Sequence, residues 1–433
     1  MQRTLSFDDR PLLWIPLRFF LTGPLFAVAA AVLLFWAGPQ AFVSRWSLPA
    51  LAMTHLVTLG FLTMIMCGAL LQILPVVAGI TIFAQRCTGA LVFGGLSCGT
   101  ALLTAAFLTF DQTFFRLAGA VLAFTVLWLL GAICFGLRNG KDATVGTAAA
   151  TVKTIRLALV SLLVTACLGT AMAASFGWTL SLPVLRITDL HAAWGLLGWV
   201  ALLIIGVAFQ VIPMFQATPA YPTAATFPLA SLAAALLGAW TVAAAFDGGL
   251  MRTLQSVLAM SVVCTLLGFA LVTLKLLRQR RRPVPEATTH FWRLSMASLI
   301  ACGIVYVFWR DAQPLLLGVL FIVGCAFSAV NGMLYKIVPF LLWYDLQGKA
   351  GLDRKSVPGI RELTQDRAAK QQFLVHLTAL IFLCGATVAP VELSRPSAAL
   401  FGASCTMLWW SLARACLVHR RASLKTPVAH AAI

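Results

Sequence analysis

The sequence predicts an all-α polytopic membrane protein of twelve transmembrane helices, arranged as three parallel four-helix repeats. Three observations predict it: the composition, the one-sided distribution of charge, and a motif that recurs at fixed intervals. Of 433 residues, 61% are hydrophobic and 10% charged, and the mean hydropathy is +0.94. Soluble domains carry about 25% charged residues. A cytosolic enzyme is therefore excluded, and the working solvent is lipid.

Apolar runs long enough to cross a bilayer fall at 12–38, 49–76, 88–110, 115–137, 155–176, 188–213, 227–246, 254–277, 291–308, 314–342, 373–390 and 396–418. The first follows Arg3, Asp8, Asp9 and Arg10 and is too long for a signal-peptide core, so an uncleaved anchor is expected. The second and sixth spans each hold one histidine, His55 and His191. Cys87 is expected in a loop, and the other ten cysteines lie within apolar runs as small hydrophobes. No C-x-x-C or C-x-x-C-H occurs, so neither a zinc ribbon nor covalent heme attachment is signalled.

The net charge is +18, and it sits almost wholly on one face. With the N-terminus inside, the inner face has 25 Lys and Arg against 8 Asp and Glu, and the outer face has 6 against 5. The outer arginines come one per loop: Arg45, Arg116, Arg186, Arg252, Arg310 and Arg395. The inner loops hold clusters such as Arg278, Arg280, Arg281 and Arg282, or Lys349, Arg354 and Lys355. By the positive-inside rule this supports twelve spans with both termini cytoplasmic in a bacterial-type inner membrane. The lipid bilayer is the partner the charge requires, and nucleic acid is not.

Gly60, Gly68, Gln72 and Pro75 of the second span recur as Gly198, Gly206, Gln210 and Pro213 of the sixth, every position shifted by the same interval. Gly324, Gly332, Lys336 and Pro339 of the tenth repeat the pattern after a second, slightly shorter interval. Arg18 and Arg156 stand equally far ahead of Gly60 and Gly198, and Arg293 stands closer to Gly324. The expected units are 1–146, 147–284 and 285–433, within one membrane domain. Four spans per unit make the repeats parallel, related by an axis along the membrane normal.

Twelve helices in three four-helix arcs, with the second, sixth and tenth innermost, resemble the core of heme-copper oxidase subunit I. More closely, Arg18-Phe19-Phe20, then His55, Gly60, Gly68, Pro75 and Gly79, then His191-Ala192-Ala193 resemble the NnrS family of heme- and copper-containing membrane proteins associated with nitric oxide metabolism. The NnrS pattern has Asn-Trp-Thr between its Pro and Gly, where this chain reads Val76-Val77-Ala78. The resemblance implies heme b or copper as cofactor, an association with nitric oxide, and a respiratory or denitrification partner.

His55 and His191 lie near the outer ends of their spans, whereas His290 and His376 are expected near the inner ends of the ninth and eleventh. His419 and His430 belong to the basic tail. Neutral imidazole is a common ligand of heme and copper, and ionisable groups within the membrane are costly enough to be functional by default. The alternative is an interfacial histidine bonding a carbonyl or water. His191 stands two positions further ahead of Gln210 than His55 does of Gln72. At about 100° per residue the two are not symmetry mates, and they either converge on one cofactor or face separate pores.

The seventh and tenth spans contain no histidine, and Val319 and Leu317 occupy the third-repeat positions. In the oxidases that the chain resembles, histidines of the seventh and tenth helices complete the dinuclear oxygen-reducing centre. The comparison with them implies that no such centre, and no turnover terminal oxidase, is expected here. Gln72, Gln210 and Lys336 form a second candidate, about 26 Å below the histidines, lining a pore or solvated just before a helix-ending proline. Asp189 is placed either to orient His191 or to pair with Arg186. A small-solute permease through the pseudo-threefold centre and a cofactor-free assembly or scaffold subunit are the competing readings. Reporter tags at Gly140, Lys349 and the C-terminus should report cytoplasm, and tags beside Arg45 or Asp247 the outside. An outside signal from Lys349 would contradict the whole assignment.

Overall fold

The computed structural model describes residues 12–139, 146–348 and 358–424. The expectations attached to Arg3, Asp8, Asp9, Arg10, Gly140, Lys349, Arg354, Lys355 and His430 fall outside them. Among the described residues there is no strand. Twelve long helices follow in order. They are α1 (Trp14–Phe42), α2 (Leu48–Val76), α3 (Gln85–Thr109), α4 (Gln112–Arg138), α5 (Ala149–Trp178) and α6 (Val184–Gln216). Then come α7 (Thr223–Ala244) and α8 (Gly249–Arg278), α9 (Ala287–Trp309), α10 (Pro314–Gln347), α11 (Asp366–Ala386) and α12 (Pro390–Leu424). All but α7 are long and apolar enough to cross a membrane, while the apolar part of α7, Pro228–Ala244, is shorter.

The most apolar windows of α2, α6 and α10 are 72, 72 and 67% buried, against 28 to 50% in the other spanning helices. These three are therefore the centre, and the rest wrap them. Each leaves regular α-helix for a π-helical segment: Leu56–Thr63, Trp194–Ala201 and Val319–Phe327. The interval that carries Gly60 to Gly198 also carries Leu56 to Trp194 and Thr63 to Ala201. The interval from Gly198 to Gly324 likewise carries Ala201 to Phe327. The π segments thus repeat in step with the glycine motif. Such segments are rare and gather at functional sites.

The motif glycines are positions of close helix approach. A Cβ at Gly60 would stand 2.5 Å from Phe26, one at Gly198 2.7 Å from Ser161, and one at Gly324 2.6 Å from Ser298. Further along each helix, Gly68 meets Phe19, Gly206 meets Thr154 and Gly332 meets Phe291, at 2.7, 3.0 and 2.6 Å. Each inner helix thus crosses the helix before it, α1, α5 or α9, at two glycines. The partners keep one register, since Phe26, Ser161 and Ser298 are spaced along the chain just as Phe19, Thr154 and Phe291 are. In this register Arg156 and Arg293 correspond, whereas Arg18 stands one turn earlier, level with Lys153 and His290. The matched spacing of Arg18 and Arg156 from their glycines is a coincidence of loop length, because the chain from contact partner to glycine is slightly longer in α5–α6 than in α1–α2.

Two further expectations change. Pro75, Pro213 and Pro339 lie inside their helices and do not end them. Proline frees the carbonyl four residues earlier, and at Pro75 that carbonyl, Leu71 O, accepts from Gln85 Nε2 at 3.2 Å. Cys87 lies in the first turn of α3, and all eleven cysteines are unpaired. Substituting Gly332 by Val should force Phe291 aside and destabilise the protein by about 1–3 kcal/mol, lowering the thermal midpoint in detergent. Gly268→Ala, with open space around it, should leave that midpoint unchanged or raised.

Candidate functional site

His55 is the eighth residue of α2 and His191 the eighth of α6, each just ahead of a π segment. Their imidazole centroids stand 6.2 Å apart with planes 25° from parallel. Of the two arrangements left open by the sequence, convergence is the one observed. His55 Nδ1 lies 2.8 Å from the carbonyl of Leu51, one turn back on its own helix. His191 Nδ1 lies 3.0 Å from the carbonyl of Thr165 on α5. A carbonyl only accepts, so both rings carry their proton on Nδ1. Each Nε2 therefore keeps its lone pair, and both rings line one cavity.

Neighbouring helices hold the rings in place. Phe107 of α3 packs against His55 at 5.2 Å. Gly169 of α5 lies directly against His191, where a Cβ would come within 2.9 Å of Cε1. Thr165 and Gly169 are one turn apart, so one stripe of α5 supplies both the carbonyl and the clearance. Neither was singled out in the sequence, although a threonine and a glycine four apart in an apolar run are a signal of close approach. Asp189 makes its ion pair with Arg45, at 2.9 Å, and not with Arg186. His191 is oriented by Thr165 O, so the carboxylate of Asp189 ties the loop between α1 and α2 to the start of α6 above the cavity.

The cavity has a volume of about 1020 Å³ and is lined mainly by apolar side chains.

At 6.2 Å between centroids the two rings are close enough for one guest to touch both. Among the described residues no group of three or more His, Cys, Asp or Glu is placed to hold a metal ion. A zinc or copper ion that needs three or four protein ligands finds too few here. Heme brings its own four equatorial nitrogens and asks for two axial ligands, so the donor set and the cavity fit it.

None of Gln72, Gln210 and Lys336 lines the cavity, and Lys336 Nζ is ion-paired with Glu286, which also holds Arg282 at 3.0 Å. The centre above them is closed by side chains. Phe61 and Phe327 stack at 3.9 Å, and Trp199 Nε1 donates to Thr63 Oγ1 at 3.0 Å.

The other histidines lie apart from the pair. His376 is not at the inner end of its span but midway along α11, fully buried against Phe327 and 2.9 Å from Ser328 Oγ. The difference arises because α11 begins at Asp366, about two turns before the apolar run that starts at Phe373. His290 packs on Phe373 at the basic end, and His419 Nε2 meets Asp345 at 2.9 Å. Set beside known proteins, the chain matches no family model and no curated protein.

Proposed function

We propose that the protein is a membrane cofactor protein that holds heme b between His55 and His191, at the arginine-poor side of the bilayer. The observation that supports this most directly is the pair of near-parallel imidazoles at 6.2 Å, each with Nδ1 committed to a backbone carbonyl. A ligand histidine whose second nitrogen is so engaged has its tautomer and ring orientation set before the metal arrives. Copper, the other cofactor that the resemblance implies, fits a two-histidine donor set less well.

The repeat reading belongs to the same proposal. Units 1–146, 147–284 and 285–433 are supported by the recurring π segments and by the paired glycine crossings. They give an arrangement like that of oxidase subunit I, in which α2 and α6 are symmetry-related and bring their histidines to one space. Bound there, heme would supply one-electron chemistry. The chain's own residues orient the two imidazoles, exclude bulk water with an apolar wall, and strap the mouth through Arg45 and Asp189. The nitric oxide association and a respiratory or denitrification partner follow from the resemblance to NnrS. With no histidine on α7 or α10, oxygen reduction is not part of the proposal. The permease reading is opposed by the Phe61–Phe327 and Trp199–Thr63 contacts that close the centre.

Heme content of purified protein, measured as the pyridine complex, tests the reading. His55→Ala and His191→Ala should each reduce content at least about tenfold, and the double variant should lose no more than either alone, as expected for one shared site. Insertion should be unaffected, because apolar length and flanking charge do not change. Gly169→Leu should also lower content by displacing His191, while His290→Ala should leave it intact. Wild-type protein that carries no heme when iron and heme precursor are supplied would overturn the proposal and favour a cofactor-free scaffold.

A further inference from the structure

The cavity does not end at the histidines. Residues of α7, α8, α9 and α10 also line it, and this part of the cavity is the second compartment. Trp240, Val263, Leu267, Cys302, Tyr306 and Ile322 are among its lining residues. No histidine, lysine or carboxylate lines it below its mouth, where Arg310 and Asp311 stand. Water does not stably fill an apolar compartment, which takes an apolar guest instead.

The mouth differs from that over the histidines. There, Arg45 is held by Asp189 at 2.9 Å and lies over Trp46 at 4.5 Å. At the second mouth Arg310 pairs with Asp311 at 3.7 Å, and that carboxylate is 97% exposed. Its guanidinium lies 5.5 Å from the ring of Tyr306. An apolar shaft capped by a loosely held guanidinium and a phenol fits a molecule with a long apolar chain and an oxygen-rich head.

We propose that this second compartment is a binding site for a membrane amphiphile, with its chain against the lining residues of α7, α8, α9 and α10 and its head held by Arg310 and Tyr306. Phospholipids and isoprenoid quinones share this chemistry, and both are at hand in a bilayer. The site does not depend on heme being present. Its occupant would lie within the same cavity as the histidine pair.

The test is retention. Full-length protein is loaded in detergent with phosphatidylglycerol in one arm and a long-chain ubiquinone in the other, washed exhaustively, and extracted for mass spectrometry. The wild type should keep about one molecule per chain of one of the two probes, consistent with a single enclosed site, and the arm that retains it identifies the source. Cys302→Phe, which places a ring in the shaft, should cut retention at least about fivefold by overpacking. Arg310→Gln should cut it about threefold by removing the charged donor. Arg310→Gln should leave heme content unchanged while it lowers retention, so failure of the heme proposal and failure of this one are separable. Wild-type retention of neither probe, or retention by Cys302→Phe equal to wild type, would overturn the proposal. If Cys302→Phe does not fold, the wild-type measurement decides alone.

Discussion

The crossing of α2, α6 and α10 at their π segments is the constraint on which the rest of the molecule depends. An α-helix in lipid satisfies its own backbone, and each of these three gives up part of that regularity at the level where they meet. What replaces it is side-chain contact. Phe61 stacks on Phe327, and Trp199 donates to Thr63, so the three helices are tied directly to one another. The glycine crossings on the opposite faces then bring α1, α5 and α9 against the same helices, and the remaining spans close around them.

This arrangement explains how two histidines in different spans come to face each other. Both stand immediately outside the point where the helices cross, at equal distance from the start of α2 and α6. Thr165 and Gly169 of α5 and Leu51 of α2 set the ring orientations. No carboxylate is needed for this. A backbone carbonyl accepts a proton-bearing nitrogen without bringing a charge into the membrane, which is the less costly device in a medium that penalises ions. The cavity beside this crossing is lined in part by the two imidazoles and in part by mostly apolar side chains of α7, α8, α9 and α10.

Much of this was legible from residues. The number of long helices and the buried position of α2, α6 and α10 follow from apolar length and the glycine motif, although eleven of the twelve described helices, not all, are long and apolar enough to span. Other features were not legible, for identifiable reasons. His55 and His191 stand at different distances ahead of corresponding π segments and are not symmetry mates, so their sharing one cavity depends on how α2 and α6 lie against each other, which the sequence alone does not carry. The mid-helix place of His376 was hidden by the polar start of α11, where Asp366, Arg367 and Lys370 interrupt the apolar run. The roles of Thr165 and Asp189 depend on which helix lies opposite, and one chain read alone does not carry that.

The central claim is that His55 and His191 act together as the two axial ligands of one heme. The reduced-minus-oxidised optical spectrum of the purified wild-type protein, recorded with and without carbon monoxide, addresses it most directly. The account predicts a low-spin b-type spectrum at about one heme per chain, unchanged by carbon monoxide because both axial positions are held by imidazole. A carbon monoxide-sensitive high-spin spectrum, or no heme absorption at all, would contradict it.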